Sequence, residues 1–111
     1  MNETQINDAL GGKTVCARIG TTNENERWQE FHAVTPIGLT GVLSELGNSP
    51  SGEVVGTWRI SGTGVSAQVI YDYGTGGTYA YSVCQQASDI HFCGATNVTN
   101  ATTIIGSVPC P

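Results

Sequence analysis

Turn-forming residues divide the chain into eight short stretches, and this spacing of turns constrains the fold more than any other feature of the sequence. Each stretch is rich in Val, Ile, Thr, Tyr or Trp and lies between turn residues such as Gly, Pro, Asn and Ser, a pattern typical of all-β domains. The stretches cover residues 13–19, 27–34, 38–46, 54–61, 66–73, 78–86, 90–95 and 102–108. Because all connections are short, we expect consecutive strands to pair in an antiparallel meander. Closing that meander into an eight-stranded up-and-down barrel removes both exposed edges.

The composition supports one β domain. The 111 residues include 15 Gly, with nine acidic and four basic residues, whereas helical surfaces are rich in Glu, Lys and Ala. A chain of this length has room for one core. We therefore predict a single barrel domain over residues 12–111, preceded by a flexible N-terminal segment over residues 1–11.

The charge pattern and the short apolar runs argue against two classes of partner, nucleic acid and the membrane interior. The net charge is −5, and the basic residues are dispersed rather than clustered: Lys13, Arg18, Arg27 and Arg59. Nucleic-acid binding requires clustered Lys and Arg, so we expect no nucleic-acid partner. The apolar runs are only a few residues long, so we expect no membrane insertion. The sequence contains no feature that sets an oligomeric state.

The four cysteines predict an exported protein. An even number of cysteines in a short β chain indicates a disulfide framework formed in an oxidising compartment; here they are Cys16, Cys84, Cys93 and Cys110. None forms a C-x2-C pair, and neither His32 nor His91 lies at a zinc-finger interval, so we predict no metal site. The polar start of the chain indicates a mature secreted or periplasmic form whose signal peptide has been removed.

Strand alternation predicts which cysteines pair. Cys84 and Cys93 both fall on the outer face of one hairpin, where directly opposed residues come within bridging distance. Cys16 points outward on the first strand, and Cys110 follows the eighth strand, which lies beside the first in a closed barrel. We therefore predict the bridges Cys84–Cys93 and Cys16–Cys110. The second possibility pairs Cys93 with Cys110 and Cys16 with Cys84.

Alternation also predicts a wall of aromatic side chains inside the barrel. A hairpin about residues 74–77 brings Tyr73 near Tyr79 and Tyr71 near Tyr81, all on one face. The same inner side receives Leu43 on the third strand, Trp58 and Ile60 on the fourth, Phe92 on the seventh, and Val15, Ala17 and Ile19 on the first. We expect Trp58 to fill the closed end of the barrel, with Gly56 leaving room for its indole.

The second strand has two possible orientations. If Phe31 and Ala33 face inward, Glu30 and His32 are ordinary solvated residues, and this is the arrangement that the sequence favours. If the register differs by one residue, a carboxylate and an imidazole are enclosed beside the tyrosines. Burial then raises the pKa of Glu30, a nearby imidazolium lowers it, and the pair can transfer a proton near neutral pH.

Several short motifs resemble the small exported bacterial lipocalin-like barrels of the calycin type. They are Gly12-Lys-Thr opening the first strand, Trp28 and Phe31 in the second, Gly56-Thr-Trp on the fourth and Tyr79-x-Tyr on the sixth. The resemblance covers about residues 10–108. It departs from the lipocalin pattern in that the Gly-x-Trp motif lies on the fourth strand rather than the first. The resemblance implies a barrel whose mouth admits a small apolar or aromatic molecule.

These observations give three functional hypotheses. The first is an exported barrel that binds a small apolar or aromatic molecule through Trp28, Trp58, Tyr71, Tyr73, Tyr79, Tyr81 and Phe92. The second is a cofactor-free lyase or isomerase with Glu30 or His32 as base and a tyrosine such as Tyr81 as acid. The third is an interaction or inhibitor module that uses loops 47–53 and 96–102. The glycine-rich segment 74–77 lacks the Lys and the following helix of a phosphate loop, so we predict no cofactor.

Overall fold

Eight antiparallel strands close into a barrel in which each strand pairs with the next along the chain and the last pairs with the first. The computed structural model describes residues 1–18, 27–46, 52–94 and 97–110. A helix, α1 (Glu3–Leu10), precedes strands β1 (Lys13–Arg18), β2 (Arg27–His32), β3 (Gly41–Glu45), β4 (Glu53–Ser61), β5 (Gln68–Asp72), β6 (Thr78–Gln86), β7 (Asp89–Cys93) and β8 (Val98–Ile105). The predicted eight-stranded up-and-down barrel is therefore confirmed. No helix among these residues has the length and apolar character needed to cross a bilayer.

The inner face carries the side chains that alternation predicted. Val15 and Ala17 of β1, Leu43 of β3, Trp58 and Ile60 of β4, Tyr71 of β5 and Phe92 of β7 are all buried. Ile19 lies outside the described residues. A different glycine from the expected one makes room for Trp58, because a Cβ at Gly41 would lie 2.6 Å from the indole Nε1. At Gly56 a Cβ would instead meet the carbonyl oxygen of Asp72 at 2.1 Å, so this glycine permits close contact between β4 and the end of β5.

The N-terminal segment differs from the flexible tail that we expected. Asn2 caps α1, with its side chain accepting from the Gln5 amide and the Gln5 side chain accepting from the Asn2 amide. Ile6 and Leu10 are fully buried in the barrel core. An isolated helix of eight residues is marginal in water, so burial of these two side chains is what stabilises it. We call the end of the barrel covered by α1 the closed end, and the opposite end, with the turn between β5 and β6, the mouth.

One predicted disulfide is present and the other is not. Cys16 and Cys110 are bonded and join β1 to the end of the chain. Cys84 and Cys93 are both free and exposed, so the predicted Cys84–Cys93 bridge is wrong. The predicted bridge requires Cys84 and Cys93 to lie directly opposite each other. The register of β6 and β7 differs from this by two residues and places Cys84 opposite His91 and Cys93 opposite Ser82. The two thiols are thus diagonal neighbours, beyond the reach of a directly opposed pair.

Strand β8 begins earlier than predicted. Residues 97–102 were expected in an exposed loop, but β8 starts at Val98 and buries Val98 and Ala101. Asn100 between them has a φ of 58°, and the pairing with β7 shifts register there. This irregularity breaks the alternation that would have revealed the strand. Of the loops in the interaction hypothesis (47–53 and 96–102), residues 47–51 and 96 lie outside the described residues.

Candidate ligand-binding site

A cavity of about 440 Å³ opens at the mouth of the barrel. Its walls come from β2, from the turn between β5 and β6, from β6 and from β8. The lining residues are Trp28, Glu30, Tyr73, Gly76, Tyr79, Tyr81 and Val98. This volume lies in the range of pockets that hold small organic molecules.

The orientation of β2 brings a carboxylate into this cavity. Trp28, Glu30 and His32 all point inward and are buried, so the arrangement that the sequence favoured, with Glu30 and His32 in solvent, is wrong. The reason is the pairing with β1, which sets Glu30 opposite Val15 and Trp28 opposite Ala17. Directly paired residues share a face of the sheet, so the two apolar residues of β1 determine which face of β2 is enclosed.

Glu30 is a buried acid held by neutral neighbours. The hydroxyl of Tyr73 donates a hydrogen bond of 2.6 Å to its Oε1. Burial raises the pKa of Glu30, the Trp28 indole and the Tyr73 hydroxyl partly offset this, and the Glu45 carboxylate raises it further. No cationic side chain in the described part of the chain is among the groups that shift this pKa.

The indole of Trp28 has an unused hydrogen-bond donor beside this acid. Trp28 is only 7% exposed, and its Nε1 has no acceptor in hydrogen-bonding geometry among the described residues. The indole lowers the pKa of both Glu30 and Tyr73, although neither group is placed to accept from its N–H. Buried donors are almost always paired. The Trp28 N–H is therefore a buried donor without a partner among the described residues.

Three tyrosines, Tyr73, Tyr79 and Tyr81, complete the aromatic wall of the cavity. The rings of Tyr73 and Tyr79 lie 5.9 Å apart at 63°, and those of Tyr71 and Tyr81 lie 5.9 Å apart at 62°. The predicted ring neighbours are thus in contact, although the backbone register pairs Tyr71 with Tyr79 and Val69 with Tyr81. Tyr79 stands at the rim, and its hydroxyl donates to the Gly76 carbonyl over 3.0 Å. Burial raises the pKa of Tyr73 and of Tyr81, so both hydroxyls stay neutral.

His32 lies below the cavity and not in it. Its Nδ1 is 3.1 Å from the Glu30 carbonyl oxygen, and its Nε2 is 2.8 Å from the Tyr71 hydroxyl. Because a carbonyl can only accept, Nδ1 carries the proton and Nε2 accepts from Tyr71. Burial lowers the pKa of His32 to about 3, so the imidazole is neutral at physiological pH. Of the enclosed pair that the second orientation of β2 predicts, Glu30 lines the cavity and His32 does not.

The remaining predicted binding residues form the core beneath the cavity. Tyr71, Trp58 and Phe92 are fully or almost fully buried and do not line it. Trp58 donates from Nε1 to the Ala33 carbonyl over 3.0 Å near the closed end. Of the residues predicted to bind ligand, the structure brings Trp28, Tyr73, Tyr79 and Tyr81 together at the mouth.

Two lining residues were not among those predicted. Val98 was placed in a loop, and the irregular start of β8 removed the alternation that would have revealed it. Gly76 was treated as part of a hairpin turn, and its role in bordering the cavity has no signal in the sequence. Among the residues that the structure describes, no group of three His, Cys, Asp or Glu side chains comes together to hold a metal.

A closed antiparallel barrel with a cluster of aromatic rings fits a ligand-binding barrel, and the topology is consistent with a lipocalin-like fold. The two potential catalytic groups of the cavity are Glu30 and the tyrosine hydroxyls around it. Comparison of the chain with protein-family models, with curated proteins and with solved structures finds no match.

Proposed function

We propose that the chain is an exported lipocalin-like barrel that binds a small aromatic or apolar molecule in the cavity at its mouth. The observation that carries this proposal is the aromatic lining of a cavity of about 440 Å³ by Trp28, Tyr73, Tyr79 and Tyr81. Such concave sites, mostly apolar with a few polar groups, are the usual form of small-molecule pockets.

The tyrosine rings are held in place before any ligand arrives. Tyr73 is tethered to Glu30 and Tyr79 to Gly76 by hydrogen bonds of 2.6 and 3.0 Å. Pre-ordered side chains lose little conformational freedom on binding, which favours affinity. The Glu30 carboxyl lines the cavity and is a polar group suited to orienting a bound molecule.

The export part of the proposal is supported by the Cys16–Cys110 bond. Structural disulfides form and persist mainly in the periplasm and outside the cell. A secreted or periplasmic barrel with a small-molecule partner is the combination that these features favour.

The test is a titration of the purified protein with N-phenyl-1-naphthylamine, a neutral aromatic fluorophore. We expect saturable binding at one site per chain. Tyr81→Ala should weaken it about tenfold or more, because loss of a contacting ring removes roughly 1.5–3 kcal/mol of apolar burial. Val65→Ala, on a fully exposed residue far from the mouth, should bind as the wild type does. Absence of saturable binding, or equal binding by Tyr81→Ala, would contradict the proposal.

A second candidate is the cofactor-free isomerase or lyase, now with Glu30 and Tyr73 rather than Glu30 and His32. The observation that favours it is the 2.6 Å contact between these two groups in a cavity that opens to solvent, where burial raises the pKa of Glu30. A carboxyl with a raised pKa is suited to general acid–base catalysis.

Deuterium exchange tests this candidate. A panel of small aryl ketones is incubated with the protein in D2O, and exchange at the carbon next to the carbonyl is followed by NMR. Exchange that Glu30→Gln abolishes and Glu53→Gln retains would support it, since both variants remove one negative charge. Exchange no faster than in buffer rules the activity out for this class of substrate.

A further inference from the structure

We propose that the preferred ligand carries an organic ammonium group, bound among the aromatic rings of the mouth with its positive charge beside Glu30. This inference rests on the proposed ligand-binding function and names the chemical class of the ligand. It is carried by the juxtaposition of a buried acid, which has no cationic partner among the described side chains, and four aromatic side chains around the same cavity.

The first argument is that Glu30 has no cationic partner among the side chains that the structure describes. Buried carboxylates in proteins are normally paired with a cation or kept neutral. Of the basic side chains that the structure describes, Lys13 donates to the Asp8 carbonyl and Arg59 is exposed on the outer side of β4. Neither acts on Glu30. A positive charge supplied by a ligand would complete this site.

The second argument is the arrangement of the rings. Tyr73 and Tyr79 border the cavity at a steep angle to each other, with ring centroids 5.9 Å apart. Trp28 and Tyr81 border it as well. Rings inclined around one space form the aromatic cages that bind quaternary ammonium groups through cation–π attraction. A neutral apolar ligand uses the same rings but makes no use of the carboxyl.

The groups that face Glu30 from each neighbouring strand add no competing positive charge. Glu45 on β3 contributes a second negative charge, and Val15 on β1 is apolar. Tyr73, which directly follows β5, stays neutral, and so does His32 on the same strand as Glu30. Tyr81 on β6 and Val98 on β8 likewise bring no positive charge, while Phe92 on β7 is apolar. Among these described groups the charged side chains are acidic, and the net charge of the chain is −5.

The Trp28 indole also favours an ammonium ligand beside Glu30. Its N–H has no acceptor in the described chain and favours the ionised carboxylate of Glu30. Together with the Tyr73 hydroxyl it stabilises the negative form that an ammonium group requires. Binding should therefore strengthen as pH rises through the pKa of Glu30 and should release a proton where that group was protonated.

The experiment compares two probes of nearly equal shape, (3-hydroxyphenyl)trimethylammonium and its neutral carbon analogue 3-tert-butylphenol. Their affinities are measured at pH 7 by calorimetry and by displacement of N-phenyl-1-naphthylamine. We expect the cation to bind at least about tenfold more tightly, the ratio that a partly desolvated cation–π contact and an adjacent carboxylate supply. Glu30→Gln should reduce the preference to within about threefold, through a loss of affinity for the cation. Glu53→Gln, an exposed position with the same change of charge, should keep the preference.

A second pair of variants tests the rings independently of Glu30. Tyr79→Leu should reduce the preference for the cation about two- to fivefold, and Tyr79→Phe should restore it, since an exposed cation–π contact is of this size. Equal binding of the two probes, or a preference that survives Glu30→Gln, overturns the inference but leaves the proposed function standing. If neither probe nor the fluorophore binds, the proposed function fails as well.

Discussion

Tyr71 and His32 are joined at the centre of the barrel by a hydrogen bond of 2.8 Å between the tyrosine hydroxyl and Nε2 of the imidazole. Both side chains are buried, and the other ring nitrogen of His32 binds the main chain of its own strand. All the hydrogen-bonding capacity of this histidine is thus used inside the core. The two side chains lie beneath the cavity. The ionisable groups that line the cavity itself are Glu30 and the phenols of Tyr73, Tyr79 and Tyr81.

Removing the Tyr71 hydroxyl should destabilise the barrel. Tyr71→Phe leaves Nε2 of His32 buried without a donor, which costs about 1–3 kcal/mol. Tyr81→Phe is the matched control, because the Tyr81 hydroxyl has no protein partner among the described residues and is only partly buried. Urea unfolding followed by tryptophan fluorescence measures both. A Tyr71→Phe variant as stable as Tyr81→Phe would contradict this role.

The stability of the protein should fall with pH because of His32. Its pKa is about 3 in the folded protein and about 6.5 when unfolded, so the unfolded chain binds one more proton between these values. The free energy of unfolding therefore decreases as pH falls below 6.5, with a slope of at most about 1.4 kcal/mol per pH unit. Chemical unfolding at pH 6.5, 5.5 and 5 should show this slope in the wild type and in His91→Gln. His32→Gln should lack it, and an identical slope in that variant would show that another group is responsible.

Glu30 should act on stability with the opposite sign. Its pKa is raised above 4.5 in the folded protein, so the native state binds more protons over that interval. Its contribution is present below pH 4.5 and is lost as pH rises through the folded pKa. Glu30→Gln should therefore gain stability relative to the wild type as pH increases. The same comparison with Glu53→Gln should give parallel curves. Parallel curves for Glu30→Gln would mean that its folded pKa is not raised.

The four cysteines should differ in both stability and reactivity. Replacing Cys16 and Cys110 together by serine should lower the free energy of unfolding by up to about 4.7 kcal/mol, since the bond closes a loop of 94 residues. Replacing Cys84 and Cys93 should change it by less than about 0.5 kcal/mol, as both are free and exposed. Mass spectrometry of the native protein after iodoacetamide treatment should show two adducts per chain. A chain with no adduct would indicate a second bridge.

Helix α1 should contribute to the stability of the barrel. Leu10→Ala removes a fully buried side chain from the closed end and should cost about 2–5 kcal/mol. Val65→Ala, at a fully exposed position, serves as the control. Thermal unfolding followed by circular dichroism compares the two. Similar transition temperatures would show that the helix is detached from the core in solution.

Local alternation was sufficient to predict most of the fold and part of the site. In β5 and β6 one face is apolar or aromatic and the other polar, so the inward direction of Val69, Tyr71, Tyr81 and Val83 follows from the strand itself. The closed barrel follows from eight strands with short connections. The seam disulfide follows from the outward direction of Cys16 and from the place of Cys110 after the last strand.

Strand β2 shows where local pattern fails. Trp28 and Phe31 lie on opposite faces, so both faces offer an aromatic residue, and only pairing with β1 encloses Glu30. The Cys84–Cys93 prediction failed because the register of the hairpin depends on the position and length of its turn. The observed register sets Cys84 opposite His91 instead of Cys93. The N-terminal helix was missed because its stability comes from burial of Ile6 and Leu10 at the end of the barrel.

The sequence by itself determined the all-β class, the closed meander, the seam disulfide and the tyrosine face, because each depends on residues close together in the chain or on simple closure. The tertiary structure alone decided that Glu30 enters the cavity, that His32 lies below it, and that α1 covers the opposite end. These outcomes depend on register and packing between strands that are distant in sequence, and a shift of one residue reverses every side chain of a strand.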